Sequence, residues 1–330
     1  MKERIREKCD LLMMNTDKLA REFKWSETLM NIAAALVFTN ADREVDIEKL
    51  RECRDIVKKN AGVFSSLRSS AESIITGKMA LTDDPMRYFR DVKSVYDRLS
   101  KSIFSDGQYL VQAAISIVDA GKFDEADEII IKFKELYKKM SKEHPMLTSS
   151  EDIIFAVLLI MTGKSVDTII TEMEGCYTYL KKELKIRVGA NEIQGLSEVL
   201  ALSDGNMREK SDRALRIYDA FSERGVKYGK EYNEFASLGA LIDIDVETRV
   251  LVDEIIEAAD YLKGNKKFGS WSMDKKQRLM FAAMLVGDSY SADASVITGT
   301  TIGSTVAMVI AEEVAIIMCL MIVMISASNN

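Results

Sequence analysis

Proline is nearly missing from this chain, with Pro85 and Pro145 its only two occurrences in 330 residues. Helices are therefore seldom interrupted. No window shows sustained period-two alternation of β-branched residues, so the pattern predicts an all-α chain. Histidine occurs once, at His144, and tryptophan twice, at Trp25 and Trp271. The four cysteines, Cys9, Cys53, Cys176 and Cys319, are scattered and none is paired at metal-ligand spacing. That excludes a disulfide framework and leaves free core thiols. No Pro-, Gly- or Ser-rich linker interrupts residues 1–288, as expected of one extended repeat domain. Forty-five basic residues against 52 acidic ones give a net charge of −7, which argues against a general nucleic-acid binder. Met1 to Lys8 is charged throughout and lacks the apolar run of a secretory signal, so the expected location is the cytoplasm.

What is present is a period. Tyr96, Tyr137, Tyr177 and Tyr218 recur at spacings of 41, 40 and 41. Each has apolar neighbours at minus four, minus one and plus three, as in Phe133, Leu136 and Met140, and these offsets share one helical face. One further step reaches Ala259, where Ile255, Ala258 and Leu262 keep the frame without the aromatic ring. A second marker, glycine after an apolar helix, falls at Gly121, Gly163, Gly205 and Gly287, where it is predicted to close the second helix of each pair. In the unit between the last two, Ile242-Asp243-Ile244-Asp245 stands in that place. Thr148 and Glu151 have the spacing of a capping box, and Asp84-Pro85 that of a helix start. The period predicts an α-solenoid-like, HEAT-like stack of about seven helical hairpins, with units ending near residues 42, 83, 122, 164, 206, 247 and 288.

No constellation specifies a chemistry. Gly163-Lys164-Ser165 resembles the end of a phosphate-binding loop, but Leu158 stands where the first glycine is required, and Lys164 reads instead as a cation at a helix C-terminus. His144, in a turn, has no nucleophile assigned beside it. Asp243, Asp245 and Glu247 alternate as calcium ligands do, yet the bending glycine is missing and a solvated turn is the plainer reading. Asp124, Glu125, Asp127 and Glu128 sit at a helix start, where carboxylates meet unpaired N–H groups. No catalytic, cofactor-binding or metal residue is assigned. Trp25 and Trp271 lie six periods apart in the same phase, one in each terminal unit, as covers for the apolar ends of the stack or as aromatic contacts to a partner.

After Gly287 the character changes. Residues 294–330 hold only two charged side chains, Glu312 and Glu313. Residues 289–330 therefore form a separate apolar helical tail. Gly299, Gly303, Ala307, Ala311 and Ala315 give that helix a face of small residues suited to close helix contact. Three roles compete: a membrane anchor, opposed by the two glutamates, a segment folded back on the stack, or a self-association element.

The runs Arg21-Glu22-Phe23-Lys24-Trp25-Ser26-Glu27, Leu29-Met30-Asn31-Ile32-Ala33 and Lys78-Met79-Ala80-Leu81-Thr82-Asp83-Asp84-Pro85 resemble a bacterial domain-of-unknown-function family, number 4003. The resemblance covers most of the chain. It implies a bacterial cytosolic origin and brings no catalytic residues. The expected function is protein–protein interaction or self-assembly without a cofactor. The rivals are an enzyme whose site is dispersed in the groove and a scaffold attached to a membrane through the tail.

Overall fold

The computed structural model describes residues 1–23, 28–62, 65–68, 71–103, 107–185, 187–228 and 232–291. Among these residues there are fourteen α-helices and no strand. They come in successive pairs: α1 (Glu3–Glu22) with α2 (Thr28–Asn40), α3 (Ile47–Asn60) with α4 (Glu72–Leu81), α5 (Pro85–Ser102) with α6 (Gly107–Asp119) and α7 (Ala126–Glu143) with α8 (Asp152–Met161). The remaining pairs are α9 (Val166–Leu184) with α10 (Ala190–Leu202), α11 (Met207–Glu223) with α12 (Tyr232–Gly239) and α13 (Thr248–Leu262) with α14 (Lys275–Ser291). The expected unit ends at 42, 83, 122, 164, 206 and 247 all fall in the turns between pairs.

The two helices of a pair differ in composition because they differ in surroundings. Odd-numbered helices are amphipathic: α5 buries Phe89, Val92, Val95 and Leu99 along one stripe and leaves its other face in water. Even-numbered helices lie inside. Every residue of α8 from Asp152 to Met161 is buried, which its near-continuous apolar run DIIFAVLLIM permits. The few hydroxyls on these inner helices turn back on their own backbone, Thr39 Oγ1 donating to Ala35 O at 2.8 Å and Ser197 Oγ to Ile193 O at 2.7 Å.

Each odd helix packs on the next odd one from α1 to α13, and α13 and α14 pack in turn on α1. The first and last pairs are thus neighbours. Tyr261 Oη donates to Asp10 Oδ1 at 2.7 Å, and Asn265 Nδ2 to Asp17 Oδ2 at 3.1 Å.

The glycine markers hold at three of four places. Gly121, Gly163 and Gly205 have φ of 68°, 80° and 103°, the left-handed conformation that closes a helix. Gly287 is a correction. It lies inside α14, which continues to Ser291, and a Cβ there would meet Leu241 at an ordinary 3.6 Å. In the first pair Asp42, φ 54°, takes the glycine's place, and Arg43 N donates to Phe38 O at 2.9 Å as Lys122 N does to Ile117 O at 3.0 Å. The capping box is also displaced by one residue. Ser149 and Asp152, rather than Thr148 and Glu151, exchange the bonds: Ser149 N donates to Asp152 Oδ2 at 2.6 Å and Glu151 N to Ser149 Oγ at 3.3 Å. Asp84 caps α5 as expected, accepting from Arg87 N at 2.9 Å with Pro85 in the first turn.

Candidate interaction surface

The turns that follow even-numbered helices meet along one rim, and cations from the odd helices hold it together. Lys8 Nζ donates to Thr39 O at 2.9 Å, Lys49 Nζ to Thr82 O at 2.8 Å, and Arg213 Nη2 to Ile244 O at 3.1 Å and Val246 O at 2.6 Å. Arg213 ties down the loop between α12 and α13, whereas Lys8 and Lys49 supply positive charge where the last carbonyls of α2 and α4 lack helical partners. In the fifth pair Lys164 does this from the preceding turn, donating to Ala201 O at 2.9 Å and Ser203 O at 3.0 Å, while Lys210 donates to Ser203 O at 2.7 Å. Both lysines share the Glu172 carboxylate, at 3.0 and 3.4 Å. Burial pushes the Lys210 ammonium below its ordinary range, with Glu172 opposing. Lys164 is thus a helix-terminus cation as expected, but it serves α10 of the next pair rather than α8 of its own.

Periodicity carried a sign of this rim that the apolar frame hides. Positions 8, 49, 90, 131, 172, 213 and 254 are 41 apart and read Lys, Lys, Arg, Ile, Glu, Arg and Glu. Two of them, Lys8 and Lys49, cap the carbonyl end of an inner helix, and Arg213 binds carbonyls of the loop that follows one.

The other candidates have structural partners. His144 ends α7, its Nε2 lies 2.8 Å from Glu174 Oε1, and its ring packs 4.6 Å from that of Tyr177. Asp243 Oδ2 accepts from Ser203 Oγ at 2.5 Å and Glu247 caps α13 through Val250 N at 3.0 Å. Asp127 and Glu128 occupy the first turn of α7. Cys9, Cys53 and Cys176 are buried. Burial raises the Cys9 thiol to about 12 and that of Cys53 to about 11, so neither offers a thiolate at neutral pH. Among the described residues no group of His, Cys, Asp or Glu is arranged to hold a metal ion.

Trp271 stands apart from all of these. It is fully exposed, at 104% of its reference area, and so covers no apolar end. Its loop, residues 263–274 between α13 and α14, is pinned on both sides of it. Phe268 is wholly buried, edge-on to Phe281 of α14 with ring centroids 6.4 Å apart, and Met273 is buried beyond it. Arg278 Nη1 donates to Phe268 O at 2.8 Å, and Ser272 Oγ to Lys266 O at 2.9 Å. Asp274 then caps α14, accepting from the backbone N–H of Lys276 and Gln277 at 2.8 Å each. The same loop carries the exposed Lys263 and Lys266 and the half-exposed Lys267, and the first residue of α14 is the exposed Lys275. None of these four is in an ion pair among the described residues, whereas Lys276 lies 3.3 Å from Glu234.

Trp25 and the small-residue series Gly299, Gly303, Ala307, Ala311 and Ala315 lie outside the described residues, as does Cys319. No helix among the described residues is long and apolar enough to cross a membrane.

Taken together, paired helices with polar side chains committed to turns and helix ends define an all-helical protein whose described residues gather no reactive cluster. The chain belongs to the family described as Protein of unknown function (DUF4003), whose model matches residues 15–315. It is similar to the Uncharacterized protein YeaA of Bacillus subtilis (strain 168), 24% identical over 261 residues, which are 76% of this chain and 77% of the relative. No solved structure matches.

Proposed function

We propose that this chain is an interaction scaffold, a repeat array of seven helical hairpins closed on itself where the first hairpin meets the last, which docks on a partner surface through the end that bears Trp271. The observation that carries the reading is how side chains are used. Lys8, Lys164, Lys210 and His144 are occupied in bonds that hold turns and helix ends. Trp271 contributes nothing to the core, yet its loop is fixed by Phe268 and Arg278. Tryptophan is enriched in binding hot spots, and a pre-ordered loop loses little entropy when it binds. Closure also changes the solenoid expectation in one respect. An array without free ends offers a partner its rims and outer face rather than an open groove.

Affinity purification from the native cell tests the reading, with three baits: the intact chain, Trp271→Ala, and a chain ending at residue 291. Loss of the same prey with Trp271→Ala is the expected result. Prey retained by Trp271→Ala but lost on truncation would move the contact to the tail and its small-residue face. Retention by both variants would move it to another face of the repeats.

A further inference from the structure

We infer that the surface around Trp271 docks on an anionic lipid bilayer. This rests on the reading of Trp271 as the docking point and names its occupant.

The charge is the first argument. The chain as a whole carries −7, yet residues 263–276 hold five lysines and one acid. That acid, Asp274, is committed to the first N–H groups of α14, and only Lys276 has an acidic partner among the described residues. Four ammonium groups, three on the loop and one at the start of α14, are left without an acidic partner among the described residues. Lys263 stands at the C-terminal cap of α13, where a cation is favoured, whereas Lys266, Lys267 and Lys275 neither cap nor pair through their side chains among the described residues.

The second argument is the ring. Trp271 is the one exposed aromatic side chain among the described residues whose side chains are placed. A protein hot spot is ordinarily ringed by energetically near-neutral contacts that exclude water. Here the apolar neighbours Phe268 and Met273 are buried, and the charges of the loop are mainly basic, with Asp17 of α1 against Asn265. A surface that fits must be negative over a broad area and accept a single amphipathic ring. The headgroup layer of an anionic bilayer does both. Single-stranded nucleic acid is a poorer fit, because it is held by several rings along a charged groove.

Polarity along the molecule gives the third argument. Toward the far end of α14, roughly 20 Å from Lys275 for about 13 residues of helix, Asp288 and Asp42 lie against Lys8. The neighbouring turns on that rim carry Glu44, Asp46, Asp83, Asp84, Asp204 and Asp243 among the cations Lys49, Lys164, Lys210 and Arg213, so acids and bases are interspersed there. An anionic surface is attracted to the mainly basic loop of Trp271 rather than to that mixed rim, which sets the orientation of docking.

The test uses the full chain carrying Trp25→Phe, so that Trp271 is the only indole. Vesicles of phosphatidylcholine are compared with vesicles that also contain phosphatidylglycerol. The expected result is a blue shift of Trp271 emission and co-sedimentation with the anionic vesicles only, reversed by high salt. Each of Lys263→Gln, Lys266→Gln, Lys267→Gln and Lys275→Gln should weaken partition about fivefold, with the thermal transition unchanged. Absence of a blue shift on anionic vesicles overturns the inference. So does equal partition of the quadruple lysine variant, which would place binding in the tail, and so does a shift with a single-stranded oligonucleotide but not with vesicles. If vesicles fail while Trp271→Ala still loses its prey, the lipid inference alone falls. If Trp271→Ala loses neither vesicles nor prey, the assignment of the docking point falls with it.

Discussion

Lys8 Nζ stands 2.7 Å from Asp288 Oδ2, so a side chain of the first helix meets one of the last. The same ammonium lies 2.7 Å from Asp42 Oδ1 and donates to Thr39 O, and its side chain is only 1% exposed. Burial raises the Asp288 carboxyl above its ordinary range, with Lys8 working against that shift. Removing the cation leaves two acids and an unsatisfied helix end. Lys8→Met should therefore cost about 3–5 kcal/mol, the range for breaking one side of a buried pair. Lys8→Met combined with Asp288→Leu should recover part of this. Urea denaturation measures both, and a single variant within about 0.5 kcal/mol of the parent would show that closure does not depend on Lys8.

The other acid of this group gives a pH test. Burial alone would raise Asp42, but hydrogen bonds from Lys8 and Arg4 hold it below the usual carboxylate range. A depressed value means that the folded state favours the ionised form. The stability it adds is present above the unfolded value of about 3.9 and disappears as pH falls through the folded value. Asn tolerates the left-handed backbone at this position, so Asp42→Asn removes the charge with little strain. With the side chain about half exposed, the expected deficit at pH 7 is about 1 kcal/mol. Thermal melts of parent and variant should converge as pH drops below about 3.9. A deficit that stays constant to lower pH would mean that the charge of Asp42 is not the stabilising feature.

Local and periodic features were legible in the residues. The all-helical class, the turns near 42, 83, 122, 164, 206 and 247, and the closing glycines Gly121, Gly163 and Gly205 follow from patterns that act within one or two helical turns. Thr148 and Glu151 misled because Ser149 and Asp152 offer the same capping chemistry one residue later, and packing of α8 decided between them. Gly287 misled because a glycine after Leu285-Val286 marks a helix end only if the helix stops there. Contact of α1 with α13 and α14 left no periodic trace, since Lys8 and Asp288 are brought together by the curvature summed over all the pairs. Nor does a lone tryptophan announce its exposure. Trp271 and the buried Phe268 sit three residues apart on one loop, and only the anchoring of the loop on α14 separates their roles.

Close approach between inner helices gives a third test, at Gly239. A Cβ there would lie 2.7 Å from Val199 Cγ1 and 2.9 Å from Val199 Cβ. Val199 is a β-branched residue in the buried stretch of α10 from Ile193 to Leu202 and has little freedom to step aside. Gly239→Ala should therefore cost about 1–3 kcal/mol by overpacking. Gly62→Ala, where nothing lies within 4 Å of the added carbon, should stay within about 0.5 kcal/mol. Equal melting temperatures for the two variants would mean that α12 can move away from α10 at little cost.

Finally, if Trp271 is reserved for binding and Phe268 for the fold, their truncations should have opposite signatures. Trp271→Ala removes a side chain with no buried surface, and its effect on stability should lie within about 0.5 kcal/mol. Phe268→Ala leaves a cavity against Phe281 and should cost about 3–5 kcal/mol. It should also free the loop, because Arg278 reaches Phe268 O and Met273 O only while the ring holds the backbone in place. Amide exchange at Ser272 and Met273, whose N–H groups donate to Gly269 O at 2.9 and 3.0 Å, reports that loosening directly. Faster exchange there in Phe268→Ala, with no change in Trp271→Ala, is the expected pair of results. A destabilised Trp271→Ala would show that the indole supports the fold and would remove the ground for treating it as a docking residue.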